Sequence, residues 1–176
     1  MIEFQNFTNA WELKKIADII DYLQPDKYIV KDNEIFEYGR IPILTANKTP
    51  ILGWANSLNS FKTECILFDD FTLLNKYIDF PFVLKSCAIK ILVNKNIVNN
   101  LYIFKEMLNK KLTKPISHKR HYIQETQFIK IALPSSNEQH QIYKIIRAID
   151  QILSLLQREL IFLKKTEDTY LIRIKQ

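Results

Sequence analysis

The stretch that decides the fold runs from Pro134 to Gln176: PSSNEQHQIYKIIRAIDQILSLLQRELIFLKKTEDTYLIRIKQ. Apolar residues recur in 4-3 spacing at Ile142, Ile146, Ile149, Leu153, Leu156, Leu160, Leu163, Tyr170 and Ile174, with Glu167 interrupting the row. Residues three and four apart share one helix face, so this is a coiled-coil pattern rather than that of a generic surface helix. No Gly or Pro follows Glu138. Pro134 closes what precedes, and Ser136 with Gln139 has the spacing of a capping box. A helix over 138–176 would extend about 58 Å. No small domain can bury a stripe that long, so the helix needs a partner helix from a second copy or another chain. In an antiparallel pair Glu167 would face Arg147 or Lys144 of the opposite helix; the other reading is a helix end where burial has stopped.

Residues 1–137 read as a globular part of mixed strands and short helices, which makes the whole chain α+β. Asn9 with Glu12 predicts a cap for a short helix carrying Trp11, Leu13, Ile16 and Ile20. Ile41 to Thr45 reads as a strand, and Thr49-Pro50 with Gly53 as a loop. Glu64 to Phe68 is an apolar run ending at Asp69-Asp70. Cys87 to Val93 is β-like, with Cys87, Ile89, Ile91 and Val93 on one face. Ile97 to Leu112 has helical spacing at Ile97, Leu101, Phe104, Leu108 and Leu112. Phe128 to Leu133 reads as a last strand.

Composition narrows the function. The 176 residues carry 25 Lys+Arg, 19 Asp+Glu, two Cys and two Gly. Gly39 and Gly53 stand alone, which argues against a P-loop, a dinucleotide fingerprint or a methyltransferase cofactor loop. No apolar run reaches membrane-spanning length. The N-terminus has no signal-peptide pattern, and two cysteines without CxxC spacing point to a reducing, cytoplasmic setting. The net charge is −3 over 1–40, +7 over 41–137 and +2 over 138–176. The middle segment holds Lys48, Lys62, Lys76, Lys85, Lys90, Lys110, Lys111, Lys114, Lys119 and Arg120. Such a surface attracts a phosphate backbone, although a solvated lysine-rich surface has the same composition.

Catalytic candidates are weak. Asp69-Asp70 lacks the Glu-x-Lys partner of a metal nuclease, and a turn-anchoring role suits it better. Asp79-Phe80-Pro81-Phe82 only echoes a base-clamping methyltransferase loop, and its aromatics suit a core. His118, His121 and His140 could suggest zinc or acid–base work, but the first two, three apart in His-Lys-Arg-His, have no nearby Cys or carboxylate that completes a tetrahedron. Flanked by Lys119 and Arg120, His118 and His121 fit phosphate or base contact. No metal site is expected.

Several segments follow one another in a telling order. They are Trp11-Glu12-Leu13, Gly39-Arg40-Ile41-Pro42-Ile43-Leu44-Thr45-Ala46, and Ile66-Leu67-Phe68-Asp69-Asp70-Phe71-Thr72. Lys76-Tyr77-Ile78-Asp79-Phe80-Pro81-Phe82, Lys90-Ile91-Leu92 and His118-Lys119-Arg120-His121-Tyr122 come next. Ile131-Ala132-Leu133-Pro134, Glu138-Gln139 and Ile149-Asp150 close the series. In this order the chain resembles the DNA-specificity (S) subunit of Type I restriction–modification systems. Members typically carry two recognition domains and two long helices; this chain has one of each and is similar to a half-subunit.

The resemblance implies a target-recognition domain over 1–137 and a dimerisation or spacer helix over 138–176. It implies a protein that does no chemistry but reads a bipartite sequence in double-stranded DNA. That protein would guide methyltransferase (modification) and restriction/translocase subunits, probing no membrane. S-adenosylmethionine, ATP and magnesium would serve only those partner subunits. Two copies would form a homodimer through antiparallel helices, with Ile142, Ile146, Ile149, Leu153, Leu156, Leu160 and Leu163 in the seam. For phosphate contact the residue types favour Lys48, Lys62, Lys85, Lys114 and Lys119, and Lys76 and His118 complete the DNA-contacting set. For base edges the residue types favour Asn47, Asn56, Asn75, Arg120 and His121; Trp54 and Tyr77 would pack against sugar or groove wall. The alternative is a coiled-coil adaptor or regulatory fragment that binds methyltransferase subunits without reading DNA.

Overall fold

A computed structural model describes residues 11–45, 51–95, 100–113 and 119–174, with side chains as far as Glu167. The chain divides into two compact units, Met1–Gln139 and His140–Gln176. The first is α+β, as the sequence predicts, and its described residues form three small sheets.

Strand β1 (Glu12–Lys15) leads into a single helical turn, α1 (Ile16–Ile19), and then β2 (Ile20–Leu23). Next come β3 (Ile41–Leu44), β4 (Ile51–Ala55), β5 (Cys65–Asp69), β6 (Asn75–Ile78), β7 (Val83–Leu84) and β8 (Ile89–Asn94). Helices α2 (Leu101–Lys111) and α3 (His121–Gln124), strand β9 (Lys130–Leu133) and the long α4 (Ser136–Ile174) complete the order.

The central sheet is antiparallel in the order β2-β8-β5-β6. Every residue of β5 is buried because both faces of the strand are covered. Ile66 and Phe68 join Leu101, Phe104 and Leu108 of α2 in one core. Cys65 and Leu67 join Phe82, Leu84, Ile89 and Ile91 in a second. Alternate side chains thus feed two cores, as a period of two requires. A mixed sheet, β4-β3-β7, pairs β3 antiparallel to β4 and parallel to β7. The third is the two-stranded ladder of β1 and β9. Helix α2 begins at Asn100, whose Oδ1 accepts the Ile103 N–H at 3.0 Å.

The structure corrects several expectations. The N-terminal helix is a strand followed by one turn. Ile16, Ile19 and Ile20 are buried at helical spacing, which imitates a longer helix, while Glu12–Lys15 supply the partner that β9 needs; Asn9 lies outside the described residues. Gly53 sits inside β4 rather than in a loop. Cys87 is exposed ahead of β8, whose inward face begins at Ile89. Ile97 lies outside the described residues. Phe128 is exposed in a 3-10 turn before β9. Lys90 leaves the basic surface altogether: it is 2% exposed, and its Nζ donates to Gln24 Oε1 at 2.6 Å and to the Cys87 carbonyl at 2.7 Å.

The cap of α4 also differs. Ser135, not Ser136, precedes the first helical residue; its carbonyl accepts the Gln139 N–H at 2.9 Å, and its Oγ lies 3.4 Å from the Glu138 N–H. Gln139 does not reach back to the cap. Its Oε1 accepts the Asn100 N–H at 2.8 Å and its Nε2 donates to the Pro134 carbonyl at 2.9 Å. The buried Glu138 accepts the Trp11 indole N–H. The first turn of α4 is therefore tied to β1 and to the start of α2.

Along α4, Ile142 and Ile146 are half-buried, whereas Ile149, Leu153, Leu156, Leu160 and Leu163 are each more than half exposed. Ile145, Ile152, Leu155 and Phe162 are exposed too and widen the apolar face beyond the 4-3 row. Tyr170 and Ile174 have no described side chains.

Candidate nucleic-acid interface

Asp70 organises the segment that carries Lys119, Arg120 and His121. Its side chain is wholly buried. Oδ1 accepts the Tyr122 N–H at 2.8 Å, Oδ2 accepts the Tyr22 hydroxyl at 3.1 Å, and the Asp70 carbonyl accepts the His121 N–H at 3.0 Å. The rings of Tyr22 and Tyr122 stack with centroids 4.4 Å apart. Burial pushes the Tyr22 hydroxyl well above its usual range, the Asp70 carboxylate adds to this, and the Arg120 charge opposes it. Tyr122 is pushed up by burial, with a smaller contribution from Asp21. The neighbouring Asp69 has a different duty: its Oδ1 accepts the N–H groups of Phe71 and Thr72 and closes the β5–β6 turn. Both aspartates thus serve as loop anchors, and among the described residues no His/Cys/Asp/Glu group could hold a metal.

At the surface end of this segment Glu125 ion-pairs with Lys119 and lies 2.9 Å from His121 Nδ1. The Lys119 bond, followed by the His121 bond, holds the Glu125 carboxyl below the usual range. His121 itself is 3% exposed, with its N–H on the Asp70 carbonyl and its Nδ1 against Glu125. Arg120 is exposed and Lys119 half-exposed.

The candidates on β6 separate by strand alternation. Asn75 and Tyr77 lie on the α2 side: Asn75 Nδ2 donates to Asn109 Oδ1 at 2.7 Å, and Tyr77 stacks edge-on against Tyr102. The Tyr77 hydroxyl donates to Glu64 at 2.8 Å. These contacts join β6 to its neighbours, although the buried Asn75 Oδ1 accepts no hydrogen bond from the described residues. Lys76, on the opposite face, lies in a small notch with Thr45 and Asp69. In the mixed sheet Trp54 is half-buried opposite Pro42, and Asn56 is exposed beyond the end of β4. Lys85 follows β7 and ion-pairs with Asp32. Lys62 is exposed in the segment before β5. Asn47, Lys48, Lys114 and His118 lie outside the described residues. Cys65 is buried, its thiol pushed up by desolvation and then by Glu64, the opposite of an activated nucleophile. His140 is exposed on α4. Among the described residues no helix is long and apolar enough to cross a membrane.

Reading residue types missed the Tyr22–Asp70–Tyr122 arrangement, because a tyrosine pair separated by 100 positions leaves no periodic trace.

Comparison with known proteins places this geometry. The specificity subunit of the Type I restriction enzyme EcoR124I/EcoR124II from Escherichia coli is 33% identical over 170 residues, covering 88% of this chain and 42% of that protein. The crystal structure of a Type-I restriction-modification S subunit from M. genitalium superposes with a TM-score of 0.63 at 18% identity, covering 93% of this chain and 45% of that one. The HsdS subunit from Thermoanaerobacter tengcongensis gives 0.55 at 13% identity, covering 88% and 41%. These structural likenesses show a shared fold, and the chain spans under half the length of each relative. The family model for the Type I restriction modification DNA specificity domain matches residues 9–165, nearly the whole of the chain described above. The resemblance read from the ordered segments is thereby confirmed, and the chain belongs to the Type I restriction–modification DNA specificity family.

Proposed function

We propose that this chain reads one half of a bipartite DNA site for a Type I restriction–modification system. The domain over 1–137 supplies the reading surface. The helix over 138–176 pairs antiparallel with that of a second copy, so two reading heads sit at a fixed spacing and meet inverted half-sites. The chain does no chemistry itself. Methyltransferase and restriction subunits bring S-adenosylmethionine, ATP and magnesium to the site it selects.

The family match over 9–165 carries the DNA-reading part of this proposal. The exposed row from Ile149 to Leu163 supports the pairing, because an apolar stripe of that length is stable in water only when covered. The second row at Ile145, Ile152, Leu155 and Phe162 supports a platform role, since a two-helix seam leaves it uncovered.

Sizing the purified chain and titrating mixed-sequence duplex DNA against salt tests the proposal. A dimer whose DNA affinity falls steeply with salt is expected. A monomer at micromolar concentration removes the pairing. A dimer that ignores DNA at every salt concentration favours the adaptor reading.

A further inference from the structure

A groove of about 600 Å³ opens between the 3-10 turn Asp26–Tyr28 and the segment preceding β5. Its floor is aromatic and fixed. The rings of Tyr28 and Phe61 meet edge to face with centroids 5.3 Å apart, and Phe61 packs 5.5 Å from the wholly buried Phe82. The Phe61 N–H donates to the Phe82 carbonyl at 2.9 Å, and the Phe82 N–H returns the bond at 3.1 Å. Each floor residue has a lysine beside it in the chain: Lys27 precedes Tyr28 and Lys62 follows Phe61. Both lysines are exposed and line the groove, and Ser60 and Thr63 add hydroxyl groups. None of the described lining residues is acidic. The carboxylate of Glu64, next in the chain, accepts the Tyr77 hydroxyl.

Ammonium groups from two segments, hydroxyl donors and an aromatic floor match a sugar–phosphate backbone. The cations neutralise phosphate oxygens, the hydroxyls donate to them, and the ring surface covers deoxyribose. We propose that this groove seats the backbone of one DNA strand, with Lys27 and Lys62 each neutralising a phosphate. The inference rests on the DNA-reading function and adds Lys27 and the Tyr28–Phe61 floor to it. The groove supplies affinity and register; it reads no base.

The test uses the full chain and a short mixed-sequence duplex, with affinity measured across a salt series. The Lys27→Gln, Lys62→Gln double variant should reduce the slope of log affinity against log salt by about 1.8 for each reading head on the duplex, or about 0.9 per phosphate contact. The loss should be alike on duplexes of different sequence. Arg158→Gln with Lys165→Gln removes the same charge from the side of α4 opposite the 4-3 row and should leave the slope unchanged. If the wild type binds and the groove variant keeps its slope, the groove assignment fails while the DNA-reading function stands. Equal losses from both pairs would reduce the effect to overall charge and also overturn it. A wild type that binds no DNA at any salt concentration removes the function and the groove together.

Discussion

The Trp11 indole donates to Glu138 Oε1 at 3.0 Å across 127 positions of chain. Trp11 flanks β1, and Glu138 lies in the first turn of α4. Glu138 is buried, so its carboxylate depends on that donor in place of water. Trp11→Phe keeps most of the ring area but removes the N–H, and should cost about 2 kcal/mol, the range for a lost bond to a buried charged group. Glu138→Gln keeps an oxygen acceptor without the charge and should cost about 1 kcal/mol or less. Urea unfolding midpoints at an unchanged m-value would measure both. Equal midpoints for wild type and Trp11→Phe would mean that the bond does not fasten the helix root.

Asp70 is the second fastening point. Asp70→Ala strands the Tyr22 hydroxyl and the Tyr122 N–H in a buried setting and should cost about 3 kcal/mol. Asp70→Asn retains an acceptor for Tyr122 and should cost roughly half as much. Because the His121 N–H bonds the Asp70 backbone, neither substitution removes that contact. Asp70→Asn should therefore fold and bind DNA with an unchanged salt slope. Metal-dependent cleavage by the wild type that Asp70→Asn abolishes would instead reinstate the aspartates as a nuclease site.

Gly53 gives a sharper local test. A Cβ there would lie 2.9 Å from the Phe36 carbonyl oxygen and 3.0 Å from Ile35 Cγ2. The Phe36 backbone exchanges hydrogen bonds with Trp54 at 2.8 and 2.9 Å, so it cannot retreat without breaking them. Gly53→Ala should destabilise the domain by about 1–3 kcal/mol through overpacking. Thermal unfolding would show it; an unchanged midpoint would mean that the 31–36 segment yields freely.

Gly53 also shows where sequence reading stops. A glycine beside Thr49-Pro50 looks like turn punctuation, yet its use here is close backbone approach within a strand. Strands Ile41–Leu44 and Cys65–Asp69 were legible as short, mainly apolar runs, and Ile89–Asn94 by the alternation of Ile89, Ile91 and Val93. Helices α2 and α4 were legible by their period. The strand Glu12–Lys15 was not, because its neighbours Ile16, Ile19 and Ile20 carry helical spacing. The candidate interface was legible as charge and residue type, but facing depends on register. Opposite Phe68 and Ile66, Asn75 and Tyr77 turn toward α2 while Lys76 turns away, and no composition reveals that.

The long helix supplies the remaining prediction. If two α4 helices pair antiparallel along their length, the distance between reading heads is set by helix length. Inserting seven residues in mid-helix preserves the 4-3 row and lengthens each helix by about 10.5 Å. That equals about three base-pair steps at 3.4 Å per step. Selection from a duplex pool with variable spacing should return the same half-sites with a gap about three base pairs longer. Three base pairs also rotate one half-site around the duplex by roughly 100°, given about 10.5 base pairs per turn, so affinity should fall even at the new best gap. The half-sites themselves should not change, because the insertion touches neither the Lys119–Arg120 segment nor the Lys27–Lys62 groove. An unchanged gap would mean that the two helices do not lie along each other, and a change in the bases selected would mean that α4 takes part in reading them.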